Sequence, residues 1–241
     1  MSNKILYQTW KTQNLDNKIL RLHKRENVIN PYLDRVIFTD SQMIDSIESN
    51  FDSDTIDYFR RIKNIVAKAD FWRYLMLFKY GGIYLDIDSS IIGKLNNSFF
   101  ERNSGIISYE DNNSLFLQWS LIYSENHPVL ERVIENIKLN IDNSLFKDDI
   151  SSLTGPKLYT KSVLETLEAH SHKIENLKDF DFQNEITEFM MGDYKLKLVP
   201  SKIYEKLFLF KHKHTHRLLN RKKGILGDDH WTVHQKKYEV Y

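Results

Sequence analysis

The 241-residue chain contains no cysteine. Disulfides and thiolate metal sites are therefore excluded, a composition that suits a reducing compartment. Proline and glycine are scarce, at four and eight residues, and nowhere gather with serine into a linker, so residues 1–241 read as one domain. Neither sign of charge dominates. The 34 basic and 33 acidic side chains leave no global field to attract nucleic acid or a membrane surface. No run approaches the roughly 20 apolar residues a membrane-crossing helix needs. The opening MSNKILYQTW also lacks the apolar centre of a signal peptide. Internal repeats and low-complexity tracts are missing too. From these absences we expect a soluble, cytoplasmic protein with no nucleic-acid partner and no membrane span.

What is present is an alternation of strand-like and helix-like runs. KILYQTW (4–10) reads as a first strand, followed by a helix from the N-cap candidate Asp16 to about Asn27, before the Asn30-Pro31 breaker. RVIFTD (35–40) is β-branched and aromatic and reads as a second strand, with a helix over 41–50 behind it. Residues 54–80 read as helical, in one element or in two joined near Asn64, ending at Gly81-Gly82. Strands are then expected at IYLDID (83–88), GIISYE (105–110), LFLQWSLIY (115–123) and YKLKLVP (194–200). A helix is expected from His127-Pro128 to about Asn140, and a loop at Thr154-Gly155-Pro156 leads into another. This order predicts an α/β fold: a mainly parallel central sheet flanked by helices, with ligands at the carboxyl ends of its strands.

The stretch KYGGIYLDIDSS (79–90) sets Asp86 and Asp88 two apart in an otherwise apolar segment. Strand alternation sends Ile83, Leu85 and Ile87 to one face and Tyr84, Asp86 and Asp88 to the other. Positions two apart on a strand are about 6.5 Å apart at the backbone. Both carboxylates can therefore ligate one Mg²⁺ or Mn²⁺ only if the chain turns at Asp88. Oxygen ligands with open positions suit such hard cations when they also carry a diphosphate. Solvated acids at a strand end would be the plain alternative.

Just upstream, AKADFWRYLMLFKYGG is apolar almost all round and should form a buried helix, yet it carries Asp70 and Arg73. Their i, i+3 spacing puts both on one face. Buried charges are costly unless they pair or bind something, so the two form an ion pair or a ligand contact.

Taken together, AKADFWRYLMLFKYGGIYLDIDSS (67–90) resembles the sugar-binding region of the DXD glycosyltransferases of family 32, whose relatives include fungal initiating mannosyltransferases and glucosylating toxins. The resemblance implies a GT-A-like fold in which Asp70 and Arg73 hold donor-sugar hydroxyls, Tyr84 lies beside that pocket, and Asp86 and Asp88 form the metal motif. By the same resemblance ILYQTWKT is the opening strand, with Tyr7, Gln8 and Trp10 near the nucleotide base, and TGP (154–156) is a loop near the donor site. DDHWTVHQ (228–235) resembles the closing His-x-Trp segment that returns a metal or diphosphate contact. It departs from the relatives' Ser-Trp ending at His234-Gln235. His230 is the candidate third metal ligand, since neutral imidazole suits Mn²⁺, and His234 is a candidate donor contact.

The implied activity is a Mn²⁺- or Mg²⁺-dependent transfer of a sugar from a UDP- or GDP-sugar to a glycan, a lipid-linked sugar or a protein, with retention of anomeric configuration, as in polysaccharide biosynthesis. Two other readings exist. YLDIDSS also resembles the opening motif of haloacid-dehalogenase-like phosphatases, with Asp86 as nucleophile and Asp88 as acid. That reading has Ser90 where Thr or Val is usual and leaves Asp70 and Arg73 unexplained. The altered VHQ ending suits a non-catalytic sugar-binding domain. KHKHTHRLLNRKK (211–223), basic and without an acid, reads as a solvated loop.

Overall fold

The computed structural model describes residues 4–110, 114–174, 185–209 and 240–241. Its first half runs β1 (Lys4–Thr9), α1 (Asn17–Ile29), β2 (Leu33–Phe38), α2 (Asp40–Asn50), α3 (Ser53–Arg61), α4 (Ile65–Tyr80) and β3 (Gly82–Leu85). Then come β4 (Ser90–Ile91), a 3₁₀ turn (Asn97–Phe100), β5 (Ser104–Ile107), β6 (Ser120–Tyr123) and α5 (Pro128–Asp142). The rest is α6 (Ile150–Leu153), α7 (Pro156–Ala169), β7 (Thr187–Met191), β8 (Tyr194–Leu198), α8 (Ser201–Tyr204) and β9 (Phe208–Leu209).

Seven strands form one sheet in the order β2-β1-β3-β6-β5-β8-β7, and β4 pairs with β9 in a small ribbon. β1, β2, β3, β5 and β8 run in one direction, while β6 and β7 oppose them. The expected mainly parallel α/β sheet is therefore present. The antiparallel β6 beside β3 has a consequence for the site: pairing Leu85 with Ser120 brings the start of β6 to the carboxyl end of β3.

The sheet has a core on each face. Ile83 and Leu85 join Leu6, Ile106, Trp119 and Phe208 on one side. Tyr84 joins Tyr7, Trp72, Phe71 and the residues of α5 and α7 on the other. The period of two predicted for 83–85 thus holds, but it stops there. Asp86 follows the strand, and Ile87 and Asp88 form a turn in which Ser89 N–H donates to Asp86 O at 2.9 Å. Asp88 therefore owes its position to a turn and not to strand alternation.

α4 is shaped by its ends as much as by its apolar body. Asn64 caps it, accepting from Val66 N at 2.9 Å and Ala67 N at 3.3 Å, and so separates it from α3. Residues 54–80 are accordingly two helices. Phe71, Trp72, Tyr74 and Leu77 are fully buried; each such side chain contributes on the order of 1.5–3 kcal/mol before entropy is counted. Gly81 and Gly82 then reverse the chain with φ of 62° and 113°. A Cβ on Gly82 would stand 2.7 Å from Ile5 O, so only glycine lets β3 come off α4 directly against β1.

Other boundaries moved for local reasons. The helix after β2 starts at Asp40 and not Ser41, because Thr39 and Gln42 make a reciprocal capping box. The expected strand over 115–123 is only Ser120–Tyr123, preceded by a single bridge between Tyr109 and Phe116. β7 was not anticipated. It pairs with β8 across the two-residue turn Gly192-Asp193, a hairpin signal the sequence contained.

Candidate active site

The site is assembled where α4 meets the carboxyl end of β3. Asp70 and Arg73 sit on one face of α4, as their spacing requires, with exposures of 4 % and 6 %. They form an ion pair at 3.1 Å. Arg73 also reaches Asp86, with Nη1 3.5 Å from Oδ1, and donates to the backbone carbonyl of Gln118 at 3.1 Å. Its guanidinium lies 4.1 Å from the centre of the Tyr84 ring, a cation–π contact in a dry setting. Tyr84 in turn donates to Asp86 Oδ1 at 2.9 Å. One guanidinium therefore joins the helix to the acidic turn.

Asp70 is held on its other side by Thr154, whose hydroxyl donates to Oδ2 at 3.1 Å. Thr154 lies between α6 and α7, fully buried, and Pro156 opens α7 at its first turn. Gln118 Nε2 donates to Tyr74 Oη at 2.6 Å and to Thr154 O at 3.2 Å, which ties the three elements together. Burial pushes the Asp70 carboxyl up to about 6, against the lowering pull of Arg73 and Thr154. Burial opposes the charge of Arg73, but the surrounding Tyr84, Asp70 and Asp86 outweigh it and hold the guanidinium firmly protonated. Burial likewise drives the Tyr84 hydroxyl far above its ordinary value, so it acts as a donor.

The acidic turn sets its two carboxylates at different depths. Asp86 N–H donates to Trp119 O at 2.8 Å, and its side chain, 25 % exposed, is the member of the cluster that meets solvent. Asp88 is 8 % exposed. A turn was the condition for the two carboxylates to share a cation, and the chain does turn at Ile87-Asp88. Hard oxygen donors at a sheet end with positions left open fit a divalent cation bound with phosphate. Among the described residues no three His, Asp or Glu side chains gather into a metal site. His230 and His234, like the basic stretch 211–223, lie outside the described residues.

The N-terminal strand places its three candidate residues at different depths. Tyr7 is 3 % exposed and packs edge-on to Trp72 at 6.1 Å, with Gly82 beside its ring. Burial raises its hydroxyl to about 12. Gln8 is fully buried, with its Nε2 3.5 Å from the backbone O of Asp86. Trp10, half-buried beyond the end of β1, is the one of the three that reaches the surface. Sequence reasoning missed Gln118 and Tyr74, which carry no motif. It located Thr154 only as part of a Gly-Pro loop.

Residues 2–106 match the family described as the glycosyltransferase sugar-binding region containing a DXD motif. The Asp70-x-x-Arg73 and Tyr84-x-Asp86-x-Asp88 positions all fall inside that span. The chain is similar to the initiation-specific alpha-1,6-mannosyltransferase of Schizosaccharomyces pombe, at 25 % identity over 192 residues, 68 % of this chain and 48 % of that protein. It is also similar to inositol phosphoceramide mannosyltransferase 3 of the same yeast, at 38 % identity over 85 residues, 35 % of this chain and 24 % of that protein. The chain thus spans about half the length of the first of these relatives and less of the second. Among solved structures, the PaToxG glycosyltransferase shares the fold with a TM-score of 0.54 at 16 % identity, over 69 % of this chain and 70 % of that one.

Proposed function

We propose that the protein is a metal-dependent glycosyltransferase that moves a hexose from a nucleotide-sugar donor, with retention, to a glycan, a lipid-linked sugar or a protein. The observation that carries this reading is the junction at Asp86: a partly exposed carboxylate between a strand end and a turn, backed by a buried ion pair. Asp86 and Asp88 are the residues that would hold Mn²⁺ or Mg²⁺, with His230 as a further ligand. A cation bound there would take up the charge of the departing diphosphate. Asp70, Asp86, Asp88 and Arg73 together carry two negative charges in excess, which suits a divalent ion.

The chain's own residues do the positioning. Asp70 uses one oxygen for Arg73 and one for Thr154; a carboxylate has lone pairs left to accept from sugar hydroxyls. Arg73 and Tyr84 fix the Asp86 carboxylate, so its orientation does not have to be found during the reaction. Trp10, which reaches the surface, is the first candidate for the nucleotide base. The mannosyltransferase names of the relatives make mannose the first sugar to test. The phosphatase reading, with Asp86 as nucleophile, leaves the Asp70–Arg73 pair without a task.

The test is incubation with GDP-mannose, UDP-glucose and UDP-N-acetylglucosamine, with and without Mn²⁺. Mn²⁺-dependent release of GDP or UDP is expected. Phosphate released from simple phosphomonoesters would replace this reading with the phosphatase, and release of neither would leave a sugar-binding domain.

A further inference from the structure

A second polar network, on the opposite face of the sheet from Arg73, runs from α1 through β2 and β1 to the acidic turn. Glu26 of α1, 3 % exposed, forms a buried ion pair with Arg35 of β2. Arg35 also donates to Oε1 of Gln8 in β1. Gln8 and Glu26 each use a second atom on the chain around Asp86 and Asp88. Gln8 Nε2 points at the Asp86 carbonyl at a long 3.5 Å, and Glu26 Oε1 accepts from the Ile91 amide at 3.1 Å. The six residues 86–91 are thus held at their first carbonyl and their last amide, and Arg35 links the two side chains that hold them.

Stability alone is a poor reason for such a network. Burial works against both charges, raising the Glu26 carboxyl and lowering the Arg35 guanidinium from their ordinary values. Replacing a buried ion pair by well-packed apolar residues is often neutral or stabilising. What apolar residues cannot supply is directed hydrogen bonding at two fixed points of a turn. We propose that Glu26, Arg35 and Gln8 are positioning residues: a buried clamp that sets the shape of the 86–91 turn, and with it the geometry of Asp86 and Asp88. Gln8 acts from beneath the sheet end on the backbone of Asp86, and not on a nucleotide base. The inference rests on the proposed function only in naming what the turn receives.

Two variants and two readouts test it. Glu26→Met/Arg35→Met removes the clamp without leaving a lone buried charge. Glu26→Gln/Arg35→Met restores an uncharged acceptor for the Ile91 amide. Amide exchange at Ser89 and Ile91, and Mn²⁺ affinity from the electron paramagnetic resonance of free Mn²⁺ in the presence of UDP or GDP, are measured on each. The double Met variant is expected to speed exchange at both amides at least tenfold with α4 protection unchanged, and to weaken Mn²⁺ binding about tenfold. The Gln/Met variant is expected to recover Ile91 protection. A double Met variant that folds with native exchange at Ser89 and Ile91 overturns the clamp, whatever its affinity for Mn²⁺. Wild-type protein that binds no Mn²⁺ removes the metal reading, while the exchange rates still decide the clamp. Should the double Met variant fail to fold, Gln8→Glu, which keeps the acceptor for Arg35 but loses the donor to Asp86 O, is read in the same way at Ser89. Native exchange there overturns the clamp.

Discussion

Arg73 Nη1 stands 3.5 Å from Asp86 Oδ1, joining a buried helix to an acidic turn that opens to solvent. The same guanidinium meets Asp70 at 3.1 Å. Neither carboxylate is therefore independent: moving one shifts the cation that orients the other. The pair on the helix and the motif in the turn, which lie 16 residues apart between Asp70 and Asp86, work as one electrostatic unit.

Arg73→Met should be more harmful than Asp70→Asn. It leaves Asp70 buried without its partner, a loss of about 3–5 kcal/mol when one half of a buried pair is removed. Arg73→Lys should not recover the loss, because an ammonium cannot reach Asp70, Asp86 and the Gln118 carbonyl together as a planar fork does. Urea unfolding of the three variants measures this. A cost below about 1 kcal/mol for Arg73→Met, the scale of an exposed pair, would show that the pair is not buried in solution.

The Asp70 carboxyl, raised by burial from 3.8 to about 6, gives a pH signature of defined sign. Between these values the folded protein holds the proton more tightly than the unfolded chain. The stabilisation from this group is complete below about pH 4 and is lost as pH rises through about 6, an effect on the order of 3 kcal/mol at most. Asp70→Asn should remove it. The stability difference between wild type and Asp70→Asn, followed by urea unfolding from pH 4 to 7, should shift in favour of Asp70→Asn as pH rises. A flat difference contradicts the burial. If the ionised carboxylate positions the donor, nucleotide release should also fall below about pH 6.

Much of this site could be read from residues 67–90, because local rules governed it. The i, i+3 spacing placed Asp70 and Arg73 together, and the double glycine ended α4 where the chain had to reverse. Other parts could not be read, because they depend on partners far along the chain. Gln118 acts through β6, whose antiparallel position beside β3 has no local signal. Arg35 and Glu26 look like ordinary surface charges until α1 and β2 are packed. The alternation of β1 turns Tyr7 and Gln8 to opposite faces of the sheet, where both are buried, a depth their resemblance to nucleotide contacts gave no sign of. The DXD pair illustrates the limit most clearly: strand periodicity places Asp88 on the face of Asp86, whereas the turn at Ile87-Asp88 decides its direction.

Thr154→Val tests the link between the α6–α7 loop and the helix pair. The substitution keeps the shape and removes the hydroxyl that donates to Asp70 Oδ2 at 3.1 Å. A hydrogen bond to a charged group contributes about 1.5–3 kcal/mol, so unfolding should come earlier by that order at pH 7. It should be affected less at pH 4, where Asp70 is protonated. Losing a bond that favours the carboxylate also raises its pKa. Any acid limb in nucleotide release should therefore move to higher pH than in wild type. An unmoved limb would detach Thr154 from Asp70 in function.

Asp88→Ala separates chemistry from folding. The residue sits in a turn beyond the end of β3, outside both apolar cores, so its loss should shift Tm by only a few degrees, the change expected for about 1 kcal/mol in a domain of this size. Removing a carboxylate from a two-acid cation site should weaken Mn²⁺ binding severely and reduce metal-dependent nucleotide release by at least about 100-fold, since transition-state charge stabilisation of several kcal/mol is at stake. Asp86→Asn should show the same metal defect and also release Arg73 from one of its two carboxylates, so its Tm should fall further than that of Asp88→Ala. If Asp88→Ala keeps wild-type release at limiting Mn²⁺, Asp88 is not a ligand, and the proposed cation would rest on Asp86 with residues beyond the acidic turn.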